Sequence, residues 1–304
     1  MSDLICIVGP TAVGKTKLSI ELAKSLNGEI INGDAMQIYR GLDIGTAKIT
    51  PAEMDGIPHH LIDEKNPAET YSVAEFQTAV RQKIEDIKSR KKLPILVGGT
   101  GLYVKSVLYD YEFGDAPGDG QSKTISNEND ALNNEELHAK LMAIDPEEAQ
   151  NLHPNNRRRV LRALEIFETS GVRKSATIAK QERKLLYDVQ LIGLTDERKA
   201  LYARINARVD TMIKAGLVDE VRSLYELNIP RNAQSVQAIG YKELYAYFDG
   251  ETSREAAIEL IKRNSRRLAK RQYTWFRNQM DVTWFHVDVD HFGQTVSAIS
   301  KTFD

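Results

Sequence analysis

Residues 9–16 read GPTAVGKT, and they follow directly on the apolar run LICIV at 4–8. The eight residues match the pattern G-x-x-x-x-G-K-[ST] in full. After them comes an amphipathic stretch with Leu18, Leu22 and Leu26 on one face. A strand, this loop and a helix in that order make the match specific. The stretch therefore predicts a phosphate loop at the end of a buried strand.

The chemistry of this loop predicts its ligand. Glycines let backbone N–H groups turn towards phosphate oxygens, and the helix start adds its positive dipole end. Lys15 supplies a mobile positive charge, and the Thr16 hydroxyl suits a magnesium ion that bridges two phosphates. We therefore expect a diphosphate or triphosphate, such as that of ATP, with Mg²⁺. The predicted loop residues are Gly9, Pro10, Thr11, Ala12, Val13, Gly14, Lys15 and Thr16.

Apolar runs alternate with amphipathic stretches in the first third of the chain, which is typical of an α/β fold. Strands are predicted at 4–8, 29–32 and 94–97, with a helix over 72–88, and 189–194 reads as a strand that returns to the sheet. The predicted fold is a P-loop-type parallel sheet flanked by helices. The carboxyl ends of such strands share one edge, so Asp34 and the turn at 98–101 should lie near the phosphate loop.

The chain also carries a helical insertion. Residues 114–134 are rich in Gly, Ser, Asn and Asp, which favours a mobile connection. The pattern over 137–184 is helical, with Pro146 and Pro154 placed to begin helices. We predict a core domain of residues 1–112 and 188–304, and an all-helical insertion domain of residues 113–187.

Composition limits the class of protein. The 304 residues are 41% hydrophobic and 28% charged, and no apolar run approaches the roughly 20 residues that span a bilayer. We expect a soluble cytoplasmic protein that does not contact a membrane. The single cysteine, Cys6, excludes an intramolecular disulfide and a zinc site built from several cysteines. Its position in the first strand predicts a small buried hydrophobe.

Basic residues cluster although the formal net charge is only −2. They recur over 157–184 and over 262–277, whereas acidic residues concentrate over 112–148. Such segregation predicts a nucleic-acid surface. In the second cluster, Trp275 and Phe276 could stack on bases, but aromatic residues at helical spacing more often pack in a core.

Spacing alone leaves the role of the candidate catalytic residue Asp34 open. The strand ending at Val97 runs into GGTG, without the strand-end Asp that many P-loop kinases use to hold a metal. Asp34 ends the preceding strand, and it fits a metal ligand, a general base or a turn cap. His59 and His60 precede Asp63, but adjacent residues on a strand face opposite ways, which argues against a metal site there.

Seven motifs together resemble one family. They are GPTAVGKT, GDAMQIYRGLDIGTAK, PHHLID, LVGGTGLY, HPNNRRRVLRALE, QAIGYKEL and RRLAKRQYTWFR. In this order, over nearly the whole chain, they are similar to those of the tRNA dimethylallyltransferases, the bacterial isopentenyltransferases that modify tRNA. The resemblance implies that the loop holds the diphosphate of dimethylallyl diphosphate. The prenyl group then goes to N6 of the adenosine immediately 3′ of the anticodon.

The resemblance also implies roles for residues. Asp34 would accept the N6 proton, Thr100 would hold the adenine or the diphosphate, and Mg²⁺ would lie near Thr16. The insertion domain would embrace the anticodon stem-loop, and we expect a monomer. The residues implied to face tRNA are Asp34, Ala35, Met36, Gln37, Thr100, Arg158, Arg159, Val160, Leu161, Arg162, Gln237, Ala238, Ile239, Gly240, Tyr241, Lys242, Lys270, Arg271, Gln272, Tyr273, Thr274, Trp275, Phe276 and Arg277.

The sequence departs from the family pattern at two points, and three alternative functions remain open. Ala35 stands where many relatives have serine, and a single cysteine cannot supply the zinc finger of eukaryotic relatives, so the bacterial form fits better. The alternatives are a small-molecule P-loop kinase that uses ATP, a prenyltransferase acting on free adenine nucleotides, and a nucleotide-gated RNA-binding module without catalysis.

Overall fold

The computed structural model describes residues 2–111, 129, 131–180 and 184–303. The chain forms two compact units, one of Met1–Leu108 with Leu185–Asp304 and one of Tyr109–Lys184. The predicted boundaries at 112/113 and 187/188 lie a few residues further along the chain. Most of the segment 114–134, predicted to be a mobile connection, lies outside the described residues.

The first half of the larger unit alternates strands and helices. In chain order its elements are β1 (Leu4–Val8), α1 (Lys15–Ser25), β2 (Gly28–Asn32), α2 (Pro51–Met54), β3 (His59–His60), α3 (Val73–Ser89), β4 (Leu93–Gly98) and α4 (Gly101–Leu108). Helix α3 begins at a capping box, in which the Ser72 side chain accepts from the Glu75 N–H and the Glu75 carboxylate accepts from the Ser72 N–H. The helix predicted over 72–88 is confirmed.

The smaller unit is helical in its described part, with α5 (Asn134–Ile144), α6 (Pro146–Gln150), α7 (Arg157–Ser170) and α8 (Lys174–Lys180). Leu137, Leu141 and Leu164 are fully buried and form part of its own hydrophobic core. Pro146 begins α6 as predicted, because a residue without an N–H suits the first helical turn. The prediction for Pro154 is wrong, since it lies in a turn ahead of α7.

The chain then returns to the larger unit with β5 (Val189–Thr195), α9 (Arg198–Lys214), α10 (Leu217–Glu226), α11 (Tyr241–Phe248), α12 (Arg254–Gln279), β6 (Thr283–His286) and α13 (Phe292–Ser300). At the point of return, the N–H of Leu186 donates to the carbonyl of Leu108 over 2.9 Å. The segment between Leu108 and Leu186 thus begins and ends at neighbouring backbone groups. Among the described residues, no helix has the length and apolar character needed to cross a membrane.

The six strands of the described residues form one parallel sheet in the order β3-β2-β4-β1-β5-β6. Strand β1 lies inside the sheet, and all five of its residues are buried, including Cys6, whose thiol pKa is raised by burial. This confirms the α/β class and the four predicted strands; β3 and β6 were not predicted. Because the strands are parallel, the loops after β1, β2, β4 and β5 leave from one edge, where the candidate site lies.

Candidate functional site

The phosphate loop connects the last residue of β1 to α1, and its shape depends on two glycines. Gly9 has φ 142° and Gly14 has φ 103°, both in the region that favours glycine. A Cβ atom on Gly9 would lie 2.6 Å from the backbone oxygen of Leu194 in β5. The loop therefore packs against the neighbouring strand as only glycine allows. The sequence prediction placed strand, loop and helix correctly.

Lys15 folds back onto this loop. Its Nζ atom donates to the carbonyl oxygens of Gly9 at 3.0 Å and Pro10 at 2.8 Å. Burial lowers the pKa of Lys15 to about 8, although the negative charge of Asp34 opposes that shift; Arg208 lowers it further. The ammonium group is thus held where an anion entering the loop would give it a stronger partner than two carbonyls.

Two arginines of α9 add positive charge beside the loop. The Nε atom of Arg204 donates to the Ala12 carbonyl at 3.2 Å, and its Nη1 atom pairs with buried Asp196 at 2.5 Å. Its Nη2 atom is buried without a hydrogen-bond partner among the described residues. Arg208 follows one turn later, and burial lowers its pKa while Asp34 and Glu53 raise it. A buried donor without a partner suggests that a ligand completes the site.

Asp34 lies in a turn directly after β2. Its Oδ1 atom accepts from the N–H of Met36 at 2.8 Å, and its own N–H donates to Asn32 Oδ1 at 3.0 Å. The Asn32 amide also donates to Leu61 O at 3.0 Å, which fixes the turn. Asp34 therefore does cap a turn, the structural role considered above, while its second oxygen has no hydrogen bond among the described residues.

The turn after β4 comes against the turn that carries Asp34. The Gly33 N–H donates to Val97 O at 2.7 Å, and a Cβ atom on Gly98 would lie 2.4 Å from the Gly33 oxygen. Thr100 lies one residue before α4, and its carbonyl accepts from the N–H of Val104 at 3.1 Å. The two strand ends therefore form one packed edge, but Thr100 itself does not line the cavity described below.

A segment from Asp43 to Thr50 forms another wall and is held by the charged side chains of Glu220 and Lys48. Three consecutive N–H groups, of residues 43–45, donate to the Glu220 carboxylate at 2.7–3.1 Å, and the Tyr241 hydroxyl donates to it at 2.6 Å. Lys48 is 4% exposed and bonds to Asp43, to Asp63 and to the carbonyl of Tyr39. These contacts give the segment a fixed shape.

These elements enclose one cavity of about 1130 Å³. The phosphate loop, the Asp34 turn, the β4 end, the 43–50 segment and α9 all contribute to its walls. Its polar lining residues include Thr11, Lys15, Thr16, Asn32, Asp34, Gln37, Thr46, Lys48, Glu53, His59, Arg204, Arg208 and Gln272. Lys15, Arg204 and Arg208 thus border the same space as Asp34, which pairs an anion site with a carboxylate. A cationic anion site beside a carboxylate is suited to the transfer of a group from a phosphate ester.

The sequence did not predict Arg204, Arg208 or Glu220 as parts of this site. Gln272 was predicted to face RNA and not to line the cavity. The spacing of Arg204 and Arg208 places both on one face of a helix, which was the available signal. Nothing in a single sequence, however, indicates that this face meets the loop almost 200 residues earlier. These residues were found from the folded chain.

Within the smaller unit, the predicted RNA-facing residues separate by burial. Arg158, Arg159 and Arg162 are exposed on α7, and Arg162 contacts Glu165 at 3.2 Å. Val160 is fully buried in the core of that unit. Its side chain has no surface for an RNA contact, so that part of the prediction is corrected. The RNA-facing role of the exposed arginines stays a prediction.

The larger unit gives a similar result. Lys270, Arg271 and Arg277 are exposed on α12, whereas Phe276 and Tyr241 have no exposed surface. The predicted RNA contacts of these last two side chains are corrected to core packing. The remaining predicted residues fall into three groups: Gln237, Lys242 and Thr274 are exposed, Ala238, Ile239, Gly240, Met36 and Gln37 line the cavity, and Ala35, Leu161, Tyr273 and Trp275 are buried or half-buried.

The fold and the cavity define an α/β protein with a phosphate-loop cavity at the carboxyl edge of a parallel sheet. A sequence model of the family described as IPP transferase matches residues 37–279. The chain belongs to this family. The family resemblance and the transferase class inferred from the motifs are thereby confirmed.

Individual relatives have names that agree with this family. A tRNA dimethylallyltransferase of Bacillus cereus is 61% identical over 285 residues, which cover 92% of this chain and 89% of that protein. A tRNA isopentenylpyrophosphate transferase of Staphylococcus epidermidis, solved by crystallography, has a TM-score of 0.73 at 47% identity, covering 99% and 98% of the two chains. A eukaryotic dimethylallyltransferase acting on tRNA has a TM-score of 0.84 at 32% identity, covering 99% of this chain and 79% of that one.

Proposed function

We propose that this protein transfers the dimethylallyl group of dimethylallyl diphosphate to N6 of the adenosine 3′ of the anticodon in tRNA. One observation carries the proposal: Lys15, Arg204 and Arg208 border the same cavity as Asp34. The cations suit a departing diphosphate, and the carboxylate suits a proton that must leave the acceptor. The names of the relatives support a dimethylallyl group as the transferred group and tRNA as the acceptor molecule.

The reaction breaks one bond and forms another. The allylic C1–O bond of the donor breaks, the diphosphate leaves with the bonding electrons, and the N6 lone pair forms a C–N bond to C1. An N6 proton then passes to the free carboxylate oxygen of Asp34, acting as general base. Lys15 and the two arginines stabilise the negative charge that grows on the leaving group. Lys15 must exchange its loop carbonyls for that diphosphate.

We further propose that Mg²⁺ accompanies the donor. Among the described residues, no three His, Cys, Asp or Glu side chains gather into a metal site. The Thr16 hydroxyl, exposed at the cavity wall, offers one oxygen ligand, so the diphosphate and water must supply the others. When bound, the ion would neutralise part of the diphosphate charge.

The acceptor must reach this cavity from a tRNA loop. An extruded base loses its stacking, and contacts elsewhere must compensate for that loss. The exposed Arg158, Arg159, Lys270 and Arg271 carry positive charge suited to phosphates of the anticodon stem-loop. Because one chain supplies every wall of the cavity, we propose that it acts as a monomer, in the cytoplasm where tRNA is available.

The test is direct. Purified protein is incubated with Mg²⁺, dimethylallyl diphosphate and unmodified tRNA whose anticodon is followed by adenosine, and the digested nucleosides are analysed by mass spectrometry. We expect N6-dimethylallyladenosine. Parallel reactions replace tRNA with AMP, or the donor with ATP. Prenylated AMP with unmodified tRNA would favour the free-nucleotide alternative, and turnover of ATP alone would favour a kinase.

A further inference from the structure

Gln272 of α12 joins two loops of the site. Its Oε1 atom accepts from the Thr11 N–H of the phosphate loop at 2.9 Å, and its Nε2 atom donates to the Gly99 carbonyl at 3.1 Å. The side chain is half-buried, and a Cβ atom on Gly99 would lie 2.4 Å from its Nε2 atom. The oxygen and the nitrogen of the amide are therefore both bonded within the protein, and a side chain at position 99 would displace the Gln272 amide from its present position.

The Gly99 end of this bridge is connected to Asp34 through neighbouring residues. Gly99 follows Gly98, which packs against Gly33, and Gly33 directly precedes Asp34. The near end is part of the loop that precedes Lys15. The Gln272 amide therefore ties the loop that would hold the diphosphate to the β4 turn, which packs against the turn that would hold the proton acceptor. Transfer rates depend steeply on the separation of the reacting groups.

The position of Gln272 within α12 excludes a simple surface role. Its neighbours Lys270 and Arg271 are exposed, whereas Gln272 turns inward to the two loops. One turn later, Trp275 covers Gly101, where an added Cβ atom would lie 2.1 Å from the indole ring. The same helix therefore presents charge on one side and supports the phosphate loop and the β4 turn on the other.

We propose that Gln272 is a positioning residue for the transfer step, and that it holds the diphosphate loop and the Asp34 turn in register instead of contacting RNA. This inference rests on the proposed function. It also gives α12 two functions. Lys270 and Arg271 would bind RNA phosphates, and Gln272 on the same helix would support the reaction centre. RNA bound by Lys270 and Arg271 would thus contact the same helix that Gln272 connects to the phosphate loop by a hydrogen bond.

Two variants test the bridge. Gln272→Met keeps the length of the side chain and removes both hydrogen bonds, while Gln272→Glu keeps an acceptor for the Thr11 N–H and cannot donate to Gly99. The matched control, Asn278→Leu, replaces an amide at an exposed position of the same helix. The single-turnover rate at saturating enzyme and donor, the tRNA dissociation constant from filter binding, and the melting temperature are measured for each.

We expect both Gln272 variants to lower the saturated rate by about 10- to 100-fold, the size of effect that misplacement by about 1 Å produces. Their tRNA dissociation constants should stay within about two-fold of wild type, and Asn278→Leu should behave as wild type. A wild-type rate for Gln272→Met would overturn the inference. So would weakened tRNA binding with an unchanged saturated rate, or a rate loss no larger than the unfolded fraction at the assay temperature. Absence of product with the wild-type protein would refute the proposed function itself.

Discussion

The carboxylate of Glu220 should be a main support of the cavity wall formed by residues 43–50. Its Oε2 atom accepts from the N–H groups of Asp43 at 3.0 Å and Ile44 at 2.7 Å. Its Oε1 atom accepts from the Gly45 N–H at 3.1 Å and from the Tyr241 hydroxyl at 2.6 Å. The substitution Glu220→Gln keeps the shape of this side chain and replaces one acceptor oxygen with a donor.

The structure dictates how glutamine would fit. Its oxygen would face Asp43 and Ile44, where two N–H groups need an acceptor, and its NH₂ group would face Gly45 and Tyr241. The tyrosine hydroxyl can rotate to accept, but the Gly45 N–H cannot. One donor left unsatisfied costs about 1–3 kcal/mol, and two bonds lose the help of a charge. We expect Glu220→Gln to lower the free energy of unfolding by about 2–4 kcal/mol.

Urea denaturation measures this loss. Glu226→Gln on the same helix is the matched control, because Glu226 is exposed and its side chain makes no hydrogen bond among the described residues, so the free energy should not change. Prenyl transfer by Glu220→Gln should fall as well, since the 43–50 segment would no longer hold its shape. A loss below about 1 kcal/mol would show that these contacts do not determine the wall.

Three further outcomes are expected. Asp34→Asn should slow transfer by about 10²- to 10⁴-fold, the usual contribution of a general base, while tRNA binding measured by filter assay stays close to wild type; normal turnover would remove Asp34 as the base. Because the pKa of Lys15 is about 8, donor affinity measured by calorimetry should fall as the pH rises through 8, and Lys15→Arg should abolish that dependence; an unchanged wild-type affinity from pH 7 to 9 would contradict the role of Lys15. Hydrogen bonds led by that from Arg90 lower the pKa of buried Glu29 to about 2, so its stabilisation is present above its ordinary value of 4.5 and is lost as the pH falls towards 2. Glu29→Gln should therefore lose less stability than wild type in urea melts between pH 5 and about pH 2.5, and parallel curves would refute this.

The sequence predicted best what is local in the chain. The phosphate loop was found because its glycines, Lys15 and Thr16 are consecutive, and the strand before it is an unbroken apolar run. Strand β6 was missed because its two end residues, Thr283 and His286, are exposed and the two between them are only half-buried, so the strand has neither a buried apolar run nor an alternating pattern. The burial of Phe276 did have a signal. Ile261, Ala269 and Phe276 are spaced by eight and seven residues, the period of one buried helix face.

The parts of the site that depend on contacts between residues far apart in the chain could not be predicted from the sequence. Gln272 bonds to Thr11 across 261 positions, and Arg204 bonds to Ala12 across 192. Helical spacing indicates which residues share a face, but it does not indicate which loop that face meets. Gln272 was therefore grouped with its exposed neighbours, although its amide turns the other way.

The hydrogen bond between Leu108 and Leu186 has a consequence for how this chain could vary. The 77 positions between those two residues begin and end at adjacent backbone groups, and the Asp110 N–H also donates to the Lys184 carbonyl at 3.1 Å. A connection of any length that closes on itself would satisfy the same two anchor points, and the entropic cost of closure grows only slowly with length. Insertions, deletions or a whole exchanged module at this position would therefore leave the strand order of the sheet unchanged.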